Sequence, residues 1–273
     1  MRCWRCARGP GGLIEQLMPD QRIEITPMTA TQAAITPILT PEQALEQACI
    51  LQSGSGYAAY RFAAEVPGAD IPALQARVLA VGSGTHAYYF AREVRGADIA
   101  ACQARVLTVG DGEDACDLAA YFGSEVDLSA CQARVLAVGT VEDAYQFAFK
   151  VDGADIAACQ ARVLAAGTGA EAYSFARNVY EADIAACQTR VLAVGDGEES
   201  YWFARDIPNA DVEALYARAQ AQGFSCLDEQ QRAAFEALLA TYRAQRQQQA
   251  AGHQDQAEAV ESDAGAVPEA PAA

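Results

Sequence analysis

Apolar positions recur along the middle of this chain at helical spacing, and glycine interrupts them on a fixed schedule. After Asp98, the residues Ile99, Cys102, Val106 and Val109 fall at i, i+3, i+7 and i+10, one stripe of a helix. Gly110 closes that run. A second run opens at once, marked by a tyrosine and a phenylalanine two residues apart: Tyr88 and Phe90, Tyr145 and Phe147, Tyr173 and Phe175, Tyr201 and Phe203. Val94, Val151, Val179 and Ile207 follow a turn later. The pattern predicts alternating short helices, A and B, each amphipathic and neither long enough to persist alone in water.

The schedule is a tandem repeat. From Gly96 the chain reads GADIAACQARVLTVGDGEDAC, from Gly153 GADIAACQARVLAAGTGAEAY, and from Glu181 EADIAACQTRVLAVGDGEESY. Three ladders share the period of 28 residues: Gly54, Gly82, Gly110, Gly139, Gly167, Gly195 and Gly223; Asp70, Asp98, Asp127, Asp155, Asp183 and Asp211; Arg77, Arg105, Arg134, Arg162, Arg190 and Arg218. A single step of 29 puts one extra residue between Gly110 and Asp127, near Tyr121 to Ser124. The ladder Asp suits the N-cap of helix A. Ser55, Ser83, Asp111, Thr140, Thr168 and Asp196 suit the N-cap of helix B, with Asp114, Asp143, Glu171 and Glu199 three residues on. The ladder Gly is expected to end helix A in the left-handed conformation.

One unit cannot bury its own apolar face, so each must borrow surface from its neighbours. The predicted fold is all-α: a right-handed α-solenoid of about six 28-residue helix-turn-helix repeats over residues 39–222. Thr40-Pro41-Glu42-Gln43 starts the first unit. A capping helix is predicted over 223–246, where Phe235, Leu238, Leu239 and Tyr242 form a sealing stripe. Residues 1–38 read as a leader without structure, with Met28 as an alternative start, and 247–273 as a disordered acidic tail.

Composition narrows the function. The formal charge is −17, with 19 Lys and Arg against 36 Asp and Glu. That balance disfavours a nucleic-acid partner, which requires a basic face. No apolar run reaches membrane-spanning length, and no secretory signal is visible, so the expected compartment is the cytoplasm. Of the nine cysteines, Cys102, Cys131, Cys159 and Cys187 share one repeat position with Leu74 and Leu215 and read as small buried hydrophobes. Cys3 and Cys6 make half of a zinc motif that no second pair completes. The acidic loop Asp111-Gly112-Glu113-Asp114 lacks the ligand order of an EF-hand and reads as a cap. No metal or cofactor is expected.

The units resemble the two-helix α-solenoid repeats of bacterial and phage proteins that carry an Ala-Tyr-x-x-Ala-Arg-x-Val run. The matching stretches are Ala87–Val94 and Ala172–Val179, while Ala64 and Phe149 stand where the Arg would be. The resemblance covers roughly residues 40–222. It implies a helical solenoid and assigns no settled activity.

Function is sought where the repeats differ. Helix A hardly varies, even at its glutamines and at the Arg ladder. Helix B varies just after its tyrosine, at Arg61, Tyr89, Asp117, Gln146, Ser174 and Trp202. It varies again a turn earlier, at Tyr57, Thr85, Glu113, Glu142, Ala170 and Glu198. Equivalent positions line up along a solenoid, so a constant frame with one changing stripe predicts a binding face, with exposed Tyr89 and Trp202 as anchors. Solvated positions that simply drift would leave the same pattern. The Arg ladder is read as structural, pairing with acidic groups or helix-end carbonyls of an adjacent unit; an anion-binding stripe is the alternative. No histidine triad, carboxylate pair or phosphate loop supports catalysis. The expectation is a non-enzymatic scaffold for a protein or peptide. A one-residue-per-repeat nucleic-acid binder and a spacer without a specific partner are the alternatives.

Overall fold

A computed structural model describes residues 38–264. The expected leader, the Cys3–Cys6 pair, the Met28 start and the last nine residues of the tail lie outside them. Among the described residues all regular structure is helical, with no strand. The A helices are α1 (Pro41–Ser53), α3 (Ile71–Val81), α5 (Ile99–Val109), α7 (Leu128–Val138), α9 (Ile156–Ala166), α11 (Ile184–Val194) and α13 (Val212–Ala221). The B helices are α2 (Gly56–Glu65), α4 (Gly84–Glu93), α6 (Gly112–Phe122), α8 (Val141–Lys150), α10 (Gly169–Asn178) and α12 (Gly197–Asp206), and α14 (Glu229–Ala264) ends the stack. Each helix packs on its sequence neighbour and on its equivalents one unit away, which makes six A–B units, a seventh A helix and a closing helix. Consecutive B helices approach each other more closely than consecutive A helices, and their row is termed the inner row.

The caps form as the sequence requires. Each ladder Asp accepts a hydrogen bond from the third residue of its helix A, as Asp98 does from Ala101 N–H at 3.1 Å. Reciprocal capping boxes open α4, α6, α8, α10 and α12. The extra residue in the third unit lengthens α6 and adds a 3-10 turn at Gly123–Glu125.

Of the ladder glycines only Gly223, at φ 70° after α13, adopts the expected conformation. Gly82 sits at φ −76°, ψ 159°, and Gly54, Gly110, Gly139, Gly167 and Gly195 are likewise extended. The left-handed residue lies instead in the turn from helix B to helix A, at Gly68, Gly96 and Gly153 and, without glycine, at Glu181 and Asn209. Glycine is required in the ladder for a different reason. The first residue of helix B, Gly56, Gly84, Gly112 or Gly169, lies against the ladder glycine of the following unit. A Cβ on Gly84 would stand on the Cα of Gly110, so two backbones touch where side chains would hold them apart. Val141 is the exception in this second glycine row.

Two side-chain ladders stitch the units. Each ladder Arg reaches back to the carbonyl oxygen of the preceding ladder Gly, as Arg190 does to Gly167 through Nε (2.9 Å) and Nη2 (2.5 Å). The helix-A glutamine reaches forward. Gln75 Nε2 donates to the Asp98 carbonyl (2.8 Å) and its Oε1 accepts from the Asp98 amide (2.9 Å), a two-point clamp repeated at Gln103, Gln132 and Gln160. The same glutamine Nε2 meets the ladder thiol, 3.4 Å from Cys102 Sγ. The Asp ladder therefore caps helices and does not pair with the Arg ladder.

The core is one continuous column. Phe90, Phe147, Phe175 and Phe203 are fully buried beside the ladder cysteines and Val78, Val106, Val135, Val163 and Val191. Val109, placed in the core stripe by its spacing, instead faces solvent at 43% exposure, as do Val81, Val138 and Val194. The stripe on helix A is narrower than predicted because its buried face is shared with the clamping glutamine. Phe235 and Leu239 of α14 close the last face against Tyr201 and Tyr216. That helix does not stop at residue 246 but runs to Ala264, through a Gln- and Ala-rich stretch with no proline to end it. No described helix is long and apolar enough to cross a membrane.

Candidate functional site

The six variable positions fall on successive B helices, at one register along the inner row. Arg61 is exposed, and Tyr89, Asp117, Gln146, Ser174 and Trp202 are half-buried. Tyr89 and Trp202 are thus less exposed than expected, because neighbours hold their rings. Tyr89 stacks on Tyr60 of the preceding unit with centroids 6.0 Å apart, and the Arg92 guanidinium lies 4.7 Å from its ring centre. Trp202 carries the Arg205 guanidinium at 3.9 Å, and its Nε1 donates to Glu198 at 3.2 Å. Such cation–π packing fixes large rings half-exposed with little freedom left to lose.

The stripe lines two open grooves. One, of about 260 Å³, lies between α2 and α4 and is walled by Tyr57, Tyr60, Arg61, Thr85, His86 and Tyr89. The other, of about 350 Å³, lies between α6 and α8 and is walled by Glu113, Cys116, Asp117, Glu142, Asp143, Gln146 and Lys150. The structure therefore brings Arg61 together with Tyr89, and Asp117 together with Gln146. Ser174 and Trp202 line neither. A larger cavity, about 640 Å³, is formed away from the stripe where α14 crosses the turn before α13, between Ile207, Asp211, Leu238 and Tyr242.

The sequence reading missed a third ladder, which explains the second groove. The helix-B tyrosine of one unit bonds to the last helix-B residue of the next: Tyr60 to Glu93, Asn178 to Tyr145 (3.0 Å), Tyr173 to Asp206 (2.6 Å). Burial, and then Glu93 beside it, pushes the Tyr60 phenol up to about 12. The Tyr60 hydroxyl and then Arg92 hold Glu93 below the usual carboxylate range, and Arg205 does the same for Asp206, with Tyr173 contributing less. In the third unit Cys116 replaces the tyrosine, and Lys150 stands opposite it. No clasp forms there and the groove opens. The variation at Glu93, Tyr121, Lys150, Asn178 and Asp206 was the available signal.

Charge along the row is uneven. The arginines toward its two ends are held by carboxylates: Arg61 by Glu65, Arg92 by Glu93, Arg177 and Arg205 by Asp206. The α6–α8 groove instead gathers four carboxylates around one lysine. The buried thiol of Cys116 is pushed up to about 12 by desolvation, so it is a neutral wall and not a nucleophile. Among the described residues no group of three or more His, Cys, Asp or Glu side chains has the arrangement to hold a metal ion.

No protein-family profile, curated protein or solved structure matches this chain.

Proposed function

We propose that this chain is a non-enzymatic scaffold that holds a protein or peptide along the inner row of B helices. One observation carries the reading: the constant polar side chains are spent on the frame, and the variable ones are not. The six ladder arginines bind carbonyl oxygens of the preceding unit, and the glutamines clamp the backbone of the next. What remains for a partner is the stripe of Arg61, Tyr89, Asp117, Gln146, Ser174 and Trp202 and the grooves beside it. Half-buried aromatic rings held by arginine are the kind of pre-organised anchor that dominates protein interfaces. Because the ladder guanidinium groups are already bonded, they offer no free cationic track for phosphates, which favours a protein partner over a nucleic acid.

The test is selection of binders to the immobilised full chain from a displayed random-peptide library. Selected peptides should lose affinity for the Tyr89→Ala and Trp202→Ala proteins, both still folded by circular dichroism. Peptides that bind these variants undiminished, or a selection that yields only peptides binding the A row, would overturn the reading.

A further inference from the structure

The two grooves on the inner row differ in chemistry and are two units apart. We infer that they form one bipartite site for an extended peptide carrying an aromatic or aliphatic side chain at one point and an arginine or lysine about six residues away. The inference rests on the peptide-binding reading of the inner row and adds what the peptide must contain.

The α2–α4 groove is walled by the rings of Tyr57, Tyr60, Tyr89 and His86, with Tyr57 and His86 5.9 Å apart at its mouth. Its carboxylate neighbours are already bonded: Glu65 to Arg61, Glu93 to Tyr60 and Arg92. A volume of about 260 Å³ with such walls accepts one large apolar side chain and offers it no free charge.

The α6–α8 groove is its opposite. Glu113 and Asp117 face Glu142 and Asp143 across it, with Lys150 the one cation among its walls. Gln146 already donates to Glu142, and Asp143 caps its own helix by accepting from Thr140 N–H at 2.7 Å. Glu113 and Asp117 keep their acceptor capacity for an incoming donor. The floor is Cys116, 2% exposed, where every other B helix has a tyrosine that would fill the space. Unlike the ladder cysteines, each met by a glutamine amide, this buried thiol has no hydrogen-bond partner among the described residues. A cationic side chain lies well in such a cleft: its methylene stem covers the thiol and its head meets the carboxylates.

Spacing joins the two. Packed helices lie about 8–10 Å apart, so grooves two units apart are about 16–20 Å apart. An extended chain covers that in about six residues.

The experiment measures fluorescence anisotropy of labelled peptides titrated with the full chain. The first probe has tryptophan and a pair of arginines separated by a serine–glycine spacer of matching length. A second has the same residues with the spacer cut short, and a third has glutamates for the arginines. The first should bind at least about tenfold tighter than the others, and Glu113→Gln with Asp117→Asn should weaken it about tenfold. The same charge change made on α1, Glu42→Gln with Glu46→Gln, should leave it within about twofold. Cys116→Tyr should also abolish the preference for arginine, with folding checked by its melting curve. Equal losses from the two charge pairs would mean diffuse attraction to an acidic chain, and equal binding of short and long spacers would mean a single groove; either result overturns the inference. Library-selected peptides that need Tyr89 and Trp202 but lack a basic residue would sink the bipartite site and leave the scaffold reading standing.

Discussion

The Arg105 guanidinium holds the end of the preceding helix A: its Nε (3.1 Å) and Nη2 (2.6 Å) both donate to the carbonyl oxygen of Gly82. That oxygen belongs to a helix end whose carbonyls lack intrahelical partners. A fork of two donors on one acceptor satisfies it across the repeat boundary. Replacing Arg105 and Arg134 by Met should each remove roughly 1–3 kcal/mol of stability, while peptide binding to the inner row stays unchanged. Lysine, with a single point of charge, should rescue only in part. Denaturant melts alongside anisotropy measure both effects, and an unchanged midpoint in the double variant would return the ladder to the anion-binding reading.

Gly84 offers a test whose sign inverts the usual expectation. In an exposed first turn, Gly→Ala normally helps a helix by a few tenths to about 1 kcal/mol. Here the new Cβ would meet the Cα of Gly110 and the Asp114 carboxylate. Both are fixed, one by backbone and one by its capping box, so the units must separate. Gly84→Ala should lower the melting temperature by several degrees, and Gly112→Ala, facing Gly139, should do the same. The equivalent position already tolerates a branched side chain at Val141. The neighbouring Arg162 makes one long bond (3.2 Å) where other ladder arginines make two, and its Nε has no partner.

Most of the frame could be read from one chain because it is written six times over. A cap, a turn or a core position that recurs at a fixed step leaves its identity in the sequence, and the N-caps, the extra residue near Gly123 and the aromatic column were legible for that reason. What was not legible is what one unit does to the next. Nothing local in Gly84 says that it exists for Gly110, since the two are brought together only by stacking. The left-handed turn was misplaced for the same reason, because a ladder of glycines admits two explanations and the sequence favours the local one. Val109 carries the spacing of a core residue and faces solvent because the clamping Gln103 takes its share of the buried face. In the candidate site, the variable stripe was visible as variation, whereas the groove at Cys116 required seeing the tyrosine clasp that it breaks.

Glu181 holds φ at 66°, in the turn where Gly68, Gly96 and Gly153 stand at 86–88°. A side chain in the left-handed region costs about 1–2 kcal/mol that glycine avoids. Glycine returns some of that gain through greater freedom in the unfolded chain. Glu181→Gly should therefore stabilise modestly, by about 0.5–1 kcal/mol. Differential scanning calorimetry would register a rise of a degree or more. A fall would mean that the Glu181 side chain contributes something its exposed position does not reveal.

The buried thiols give the stack an alkaline limit. Burial pushes Cys102 and Cys159 up to about 11 and Cys116 and Cys187 to about 12, from an ordinary 9. Their folded values lie above the unfolded one, so the native state binds more protons in between. The resulting stability is complete below about pH 9 and is lost as pH rises through 11 to 12, and Tyr60 adds to the loss above 10. Melts from neutral pH upward should fall steeply in that window. Below it, a thiol reagent followed by peptide mapping should modify the exposed Cys49 and Cys226 and spare the five buried cysteines until the chain unfolds. Early labelling of Cys131 or Cys159 would show that the column opens locally.

Removing residues 98–154 takes out two whole units, including the extra residue, and joins Ala97 to Asp155 in register. Each ladder then meets a new partner of the same kind: Gln75 would face the Asp155 backbone, Arg162 the Gly82 carbonyl, and Gly84 the glycine at 167. Tyr88, which bonds to Arg92 of its own helix because the next unit offers Tyr121, would face Asn178, the residue that bonds Tyr145 in the intact chain. The shortened protein should thus fold as one cooperative unit with its inner row continuous. It would keep the aromatic groove of α2 and α4 and lose the acidic one entirely. Stability in a stack grows with the number of interfaces, and the slope against denaturant with the surface exposed, so both should fall. A transition of unchanged midpoint and slope would mean that the units stand without their neighbours. Two separate transitions would mean that the ladders do not rejoin.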